Sequence, residues 1–366
     1  MTCCLTGVAT AVPPHRISQY EAAEHGQLLG CETEQQRLFL REVYRKSGVR
    51  TRHSVLLEAP AGAPQRQTFF LPAAGREDAG PTTAQRMQKY TASAASLAVR
   101  AAAAALDDAA VAPREVTHLV TASCTGFAAP GFDVEMMHTL RLSPEAARTH
   151  IGFMGCHAAL NALRTAKAYV DGDPNAVVLL AAVELCSLHQ QYGGRPELIV
   201  SNALFADGAG AAVLRATRSG ELSGRHAWQL ASSGSMIFPD SRGDMGWTIG
   251  DHGFVMQLSK RVPELIEQHV PRWLAHWLDR QQLQIRDVAS WAIHPGGPRI
   301  LECCVQGLRL HEHHLRVSRE ILAEFGNMSS PTVLFILDRM RQIAAPRPCV
   351  AMAFGPGLTV EAALFR

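Results

Sequence analysis

Between Ile151 and Leu185 a helix that is apolar on almost every side runs into a strand that is aliphatic along its length. The first stretch is IGFMGCHAALNALRTAKAYV, in which Ala158, Ala159, Leu160, Ala162, Leu163, Ala166 and Ala168 leave little for water to solvate. A helix with so narrow a polar side packs between other layers rather than on a surface. The second stretch, AVVLLAAVEL over 176–185, reads as a central strand covered on both faces. Together they demand an α/β fold with a deep core. Cys156 stands where the glycine-bearing turn (Gly152, Gly155) gives way to the helix formers. At a helix start a cysteine meets unpaired N–H groups and the positive end of the helix dipole, both of which favour thiolate. A lone cysteine there is more often a packing residue, so the rest of the chain has to decide.

Composition narrows the classes. The chain has 366 residues, 47% apolar and 19% charged, enough for one large domain or two. A net charge of +2 with both signs interspersed gives no footprint for nucleic acid or a membrane surface. Nine cysteines without a CxxC pair point to a reducing compartment. The start, MTCCLTGVATAVPPHRI, has no signal-peptide pattern, and the alanine-rich 92–105 segment is too short and too interrupted to span a bilayer. A cytoplasmic location is expected.

Read in order, strands and helices alternate. Leu5–Val12 is a strand ended by Pro13-Pro14, and residues 19–46 are polar and helix-forming. Arg37, Arg41 and Arg45 share a helical face, which reads first as solvated surface and second as a phosphate contact. Residues 59–81 are rich in proline and glycine, an irregular connection. A helix is expected over 82–108, a strand over 116–122, a helix over 132–140, and a strand over 211–215 after the small-residue run Ala206-Asp207-Gly208-Ala209-Gly210. The polar segment 216–224 is the best boundary, dividing a half at 1–217 from a half at 218–366. After a glycine-rich 236–254, the second half offers a helix over 262–282, a strand over 288–293, helices over 299–308 and 332–342, and a strand over 349–354. HLVTASCTG matches SWAIHPGG, and AVVLLAAVELC matches CVAMAFGPG, so the fold reads as a pseudo-duplicated α/β fold.

Three chemically capable residues fall at strand ends or helix starts: Cys156, His294 and Asn327, separated by 138 and 33 residues. A thiolate beside an imidazolium is an activated nucleophile. Amide and imidazole N–H groups suit an oxyanion or enolate. Singly, His294 reads as a core histidine and Asn327 as a helix cap; together, flanked by Gly/Pro turns, they read as chemistry. The run His311-Glu312-His313-His314 offers no closed set of four ligands and reads as surface.

At these residues the sequence resembles the type III polyketide synthases, relatives of chalcone synthase with a thiolase-like five-layer αβαβα fold. The resemblance runs from about Cys4 to the C-terminus, through FMGCHAALNALR, ALFADGAGAAV, WAIHPGGPRIL, GNMSSPTVLFIL and AFGPGLTVEAALF. It implies that Cys156 accepts an acyl group from an acyl-CoA starter, as a thiolate paired with protonated His294. It also implies that His294 and Asn327 promote decarboxylation of malonyl-CoA, and that the chain is lengthened iteratively and then cyclised. Phe205 matches a gating phenylalanine, and Gly297 and Pro356 lie in the HPGGP and GPG blocks that border the substrate. No metal or organic cofactor is implied, only CoA thioesters as substrates, and the resemblance implies a homodimer in which Ala129-Pro130 reaches the partner. Departures are specific. Met256 replaces a second gating phenylalanine, Cys124 and His189 replace cavity threonines, and Trp247 replaces glycine. Lys46 matches a CoA-binding lysine, while Glu42 stands where arginine is usual. Trp247 in MGWTIGDHGF is similar to bacterial members that make alkylpyrones, alkylresorcinols or naphthalene tetrol, and an alkylpyrone or resorcinol from a fatty-acyl starter is the leading expectation. Malonyl-only and aromatic starters, a carrier-protein-dependent ketoacyl synthase and a non-elongating acyl-CoA-binding subunit are the competing readings.

Overall fold

The computed structural model describes residues 1–59, 66–218 and 228–366. The chain opens with β1 (Thr2–Ala11), β2 (Arg16–Ser18), α1 (Gln19–Leu28) and α2 (Glu34–Lys46). Short strands β3 (Thr51–His53), β4 (Leu57–Glu58) and β5 (Arg66–Gln67) precede the long α3 (Thr83–Asp108). Then come β6 (His118–Ser123), α4 (Phe132–Thr139), β7 (Ala147–Gly152), α5 (Ala158–Gly172), β8 (Val177–Leu185), α6 (Pro196–Leu204) and β9 (Asp207–Thr217). The second half runs β10 (Trp228–Ile237), β11 (Met245–Gly250), β12 (Gly253–Leu258), α7 (Val262–Asp279), β13 (Ser290–Ile293) and α8 (Pro298–Leu308). It closes with α9 (Arg316–Phe325), α10 (Thr332–Gln342), β14 (Cys349–Gly355) and β15 (Thr359–Phe365).

Strand order makes the duplication explicit. The main sheet reads β13-β14-β15-β10-β1-β9-β8-β6-β7. In the first half β6 is parallel to β8, β8 antiparallel to β9, and β9 antiparallel to β1. In the second, β13 is parallel to β14, β14 antiparallel to β15, and β15 antiparallel to β10. The equivalences β6 with β13 and β8 with β14 are those that the repeated segments suggest. The halves join through β1 and β10 at Cys4–Gln229 and Leu5–Trp228.

Among the described residues four apolar clusters are buried, three of them between the layers of the fold. The middle one wraps α5 and α10, with Leu160, Leu163, Val333, Leu334 and Leu337 at 0–1% exposure. That is where helices without a polar side must go. A second core seats α3 on the first half's strands, and a third seats α7 and α8 on the second's. Thr82 starts α3 as read from sequence, through a capping box with Gln85. No helix among the described residues is long and apolar enough to cross a membrane.

Several elements depart from the sequence reading. The helix-forming 19–46 region divides into two helices, interrupted at Gly30, whose φ of 124° suits glycine, and restarted by the Thr33 capping box. β7, β10, β15 and α9 were not anticipated, and 236–254 holds the β11–β12 hairpin. Of the expected irregular connection and boundary, residues 60–65 and 219–224 lie outside the described residues.

Candidate active site

Cys156 lies in a single 3-10 turn, Gly155–His157, that feeds directly into α5. Gly155 has φ 69°, and a Cβ there would strike the Pro356 ring, so the turn closes only with glycine against the end of β14. Likewise a Cβ on Gly355 would run into the His157 ring. Second-half residues thus fix the first half's cysteine.

The turn before α10 supplies its counterpart. Asn327 is held from both sides: its N–H donates to Leu204 O (2.9 Å), and its carbonyl accepts from Ala206 N (2.9 Å). Its side-chain Oδ1 accepts from Ser329 N at 2.8 Å, which turns Nδ2 outward toward Gly296 O (3.4 Å) and the Cys156 sulfur. Ser329 Oγ lies 3.5 Å from Cys156 Sγ and 3.4 Å from Cys124 Sγ, a hydroxyl shared by two thiols. His294, at the end of β13, is 1% exposed, and neither ring nitrogen has a hydrogen-bond partner among the described residues. Buried imidazoles are normally satisfied; one with both nitrogens idle is arranged for something that arrives.

Burial works against the expected thiolate–imidazolium pair. Burial pushes the Cys156 thiol up to about 11, assisted by the Glu184 charge, and hydrogen bonds from Ser329 and Asn327 offset only part of this. Burial, with His157 nearby, pushes His294 down to about 3. In the free site burial thus favours the thiol and the neutral imidazole. The helix start does favour thiolate, but in a dry site desolvation outweighs it.

Cys156 opens on a small cavity of about 20 Å³, room for about one water. Cys124, Cys186, Phe205, Trp247, Met256 and Pro356 are among its walls. Trp247 is pinned: Nε1 donates to Cys124 O at 2.7 Å, and its ring meets those of His189 (5.4 Å), Phe254 (5.9 Å) and Phe205 (6.0 Å). Met256 faces Trp247 across the hairpin register. His189 does not border this cavity; it lines a second space of about 10 Å³ behind Trp247. Its Nε2 donates to Thr125 O (2.7 Å) and its Nδ1 accepts from Phe254 N (3.0 Å), so it anchors the hairpin as a neutral ring that burial holds down at about 3. Gly297 begins α8 with Leu204 3.5 Å from where a Cβ would stand.

Lys46 is not brought to this cluster. It is exposed on α2 and pairs with Glu42 at 2.8 Å, as does Arg45 at 2.7 Å. The two bases hold the Glu42 carboxyl down at about 2, so this face is largely self-neutralised. The Arg37, Arg41 and Arg45 face carries ion pairs to Glu34, Glu24 and Glu42. The rings of His311, His313 and His314 cluster at 4.2–5.8 Å, and among the described residues no group of three or more His, Cys, Asp or Glu is arranged to hold a metal.

Two residues of the site went unread. Glu184, at 0% exposure, accepts from Cys124 N (2.9 Å), Thr125 Oγ1 (2.7 Å) and Ser330 Oγ (2.6 Å), tying the turn after β6 to the start of α10. Burial raises its pKa against those bonds. A single acid in an aliphatic run was the available signal. Ser329 was visible in GNMSSP, but its reach to two thiols is purely tertiary.

Comparison with known proteins agrees with this geometry. Residues 2–218 match the family model for chalcone and stilbene synthases, N-terminal domain, and residues 229–366 match the C-terminal domain. The alpha-pyrone synthesis polyketide synthase-like Pks18 of Mycobacterium tuberculosis is 34% identical over 99% of this chain and 90% of its own. The 1,3,6,8-tetrahydroxynaphthalene synthase of Streptomyces peucetius is 32% identical over 99% of this chain and 92% of its own. The crystal structure of PKS-I from the brown alga Ectocarpus siliculosus superposes with a TM-score of 0.92 at 30% identity, covering 100% of this chain and 98% of that one.

Proposed function

This chain belongs to the chalcone and stilbene synthase family and is a type III polyketide synthase, a condensing acyltransferase acting on malonyl-CoA and an acyl-CoA; from that premise we propose that it extends a fatty-acyl starter held on Cys156 to an alkylpyrone or alkylresorcinol. The observation that carries the catalytic assignment is a Cys156 thiol contacted by Asn327 and Ser329, together with a buried His294 whose two ring nitrogens have no hydrogen-bond partner among the described residues.

The chemistry follows from the protonation states. As the starter thioester enters, His294 takes the Cys156 proton, the thiolate attacks the carbonyl, and CoA leaves as its thiol. Malonyl-CoA then places its thioester oxygen between His294 and Asn327 Nδ2. Loss of CO₂ leaves the carbanion electrons delocalised onto that oxygen, where two donors stabilise them. The enolate carbon attacks the acyl-cysteine and expels the Cys156 thiolate. Because the departing carboxylate supplies the electron pair, no step calls for a metal or redox group. The proposed homodimer is favoured by β7, which lies at the end of the sheet order as a mostly exposed edge strand. Beside it Pro130 borders a groove of about 650 Å³ between α3 and α4.

Incubation with labelled malonyl-CoA and starters from acetyl- through long-chain acyl- to coumaroyl-CoA, with products read by mass spectrometry, tests the reading. Starter-dependent pyrones or resorcinols are expected. Product from malonyl-CoA alone would make it a malonyl-primed synthase of the naphthalene tetrol kind, and coumaroyl-dependent product alone an aromatic-starter enzyme. Folded protein that gives neither product nor CO₂ would contradict the catalytic assignment.

A further inference from the structure

The hairpin that carries Trp247 and Met256 stands apart from the main sheet, because β11 and β12 form a two-stranded sheet of their own. A lone hairpin is marginal in water, so the position of this wall of the Cys156 cavity depends on what grips it. Its tip is gripped by the first turn of α3. The Thr83 N–H, one of those a helix start leaves unpaired, donates to Asp251 O (2.7 Å), and Thr83 Oγ1 accepts from Gly253 N (2.8 Å). His252 Nδ1 is bonded to Gly80 O (2.8 Å).

Arg86 lies one turn further along α3 and is 0% exposed. Nε donates to Pro81 O (2.8 Å), and Nη1 donates to Leu188 O (2.8 Å) and Gln190 O (2.7 Å). A Cβ on Gly253 would strike Nη1, so the hairpin tip lies flush on the guanidinium. The Phe70 ring centre is 5.0 Å from Cζ. Among the described residues no carboxylate pairs with Arg86, and Nη2 has no hydrogen-bond partner. Burial pushes it down to about 10, so it stays charged at pH 7. A charge buried without its opposite is costly. What it supplies in return is a planar fork that ties the helix to the 188–190 turn and gives the hairpin tip a floor. An apolar side chain has no donors for this, and an ammonium has one nitrogen.

Between the two carbonyls that Nη1 holds stands His189. Its Nδ1 accepts from Phe254 N, and its ring stacks on Phe254 at 4.1 Å and meets Trp247 edge-on at 5.4 Å. Direct contacts therefore run from Arg86 through the 188–190 turn to the indole at the Cys156 cavity. Arg86 itself borders neither that cavity nor the space behind Trp247. We propose that Arg86 is a positioning residue that sets the size selectivity of the synthase from outside the cavity, by fixing the 188–190 turn and the hairpin tip and so the place of Trp247. This rests on the reading that Cys156 carries the acyl group.

Arg86→Met keeps the length of the side chain and removes every donor. With labelled malonyl-CoA and either acetyl- or dodecanoyl-CoA, it changes the ratio of the two kcat/KM values at least about three-fold, because a displaced wall discriminates differently between small and large acyl groups. Peptide mass spectrometry in parallel follows acylation of Cys156. A smaller change in the ratio, including an equal loss on both starters, overturns the proposal, since a merely structural residue lowers both alike. Arg86→Lys, which returns the charge on one nitrogen, brings the ratio part of the way back. Where Arg86→Met does not fold, the lysine variant decides: a shift of about two-fold or more is expected, and the native ratio overturns the proposal. Acylated Cys156 with an unmoved ratio overturns the role of Arg86 and spares the catalytic reading; absence of any acyl-Cys156 in the native protein overturns both.

Discussion

α5 and α10 occupy the same middle layer, and each begins at a turn built with left-handed residues: Phe153 (φ 57°) and Gly155 (69°) before one, Gly326 (75°) and Ser329 (55°) before the other. The backbone devices are alike and the chemistry is not. The α5 turn presents a thiol; the α10 turn presents an amide and a hydroxyl. Each is closed by the opposite half, the first by Gly355 and Pro356, the second by Glu184 and the 204–206 backbone. Duplication provides two equivalent places at the core, and divergence puts the nucleophile in one and the charge-stabilising donors in the other. Neither half alone contains a site.

That division of labour is breakable in stages. Cys156→Ala should lower polyketide formation at least about 10³-fold while malonyl-CoA decarboxylation persists, since the second half's donors remain. Product assays alongside CO₂ release check this. The reverse cut, Asn327→Ala, should slow decarboxylation by about 10²–10³-fold yet still permit acylation of Cys156 by a starter. If both activities fell together in either variant, the split between the halves would be wrong.

Smaller effects probe the closure of the turns. Gly155→Ala faces both a left-handed φ and the Pro356 ring, and should cost about 1–3 kcal/mol in denaturant unfolding. Gly152→Ala, whose Cβ would meet only ordinary contacts to His150, should stay within about 0.5 kcal/mol. Equal losses would show that the turn is not what glycine serves. The pH dependence of alkylation tests the protonation states. With Cys156 raised to about 11 and His294 neutral, iodoacetamide reactivity should climb about ten-fold per pH unit from pH 7 to 9. A plateau below pH 7 would mean a standing ion pair. Ser329→Ala, removing a bond that favours thiolate, should lower that rate a few-fold at fixed pH.

What was legible in the sequence is what burial writes into residue type. The strands that became β6, β8, β13 and β14 are largely apolar runs ending in polar turns, so their equivalence between the halves could be read directly. β7 is ARTHIG, a mostly exposed edge strand whose polar residues carry no strand period, and β10 is weakened by its serines and glycine. The site residues were visible as types at strand ends and helix starts. Their protonation was not, because it turns on how completely the fold excludes water from Cys156 and His294. His189 read as a cavity residue, and it lines the small space behind Trp247 while also anchoring the hairpin, a role set by two backbone partners far away in sequence.

The central claim is that the first half's thiol takes the acyl group while the second half supplies the donors. The most direct test is brief exposure of the native protein to a fatty acyl-CoA without malonyl-CoA, followed by intact-protein and peptide mass spectrometry. One acyl group per chain, mapped to Cys156 and lost in Cys156→Ala, is the predicted result. Stable acylation of Cys124 or Cys186, or an adduct that survives in Cys156→Ala, would contradict it.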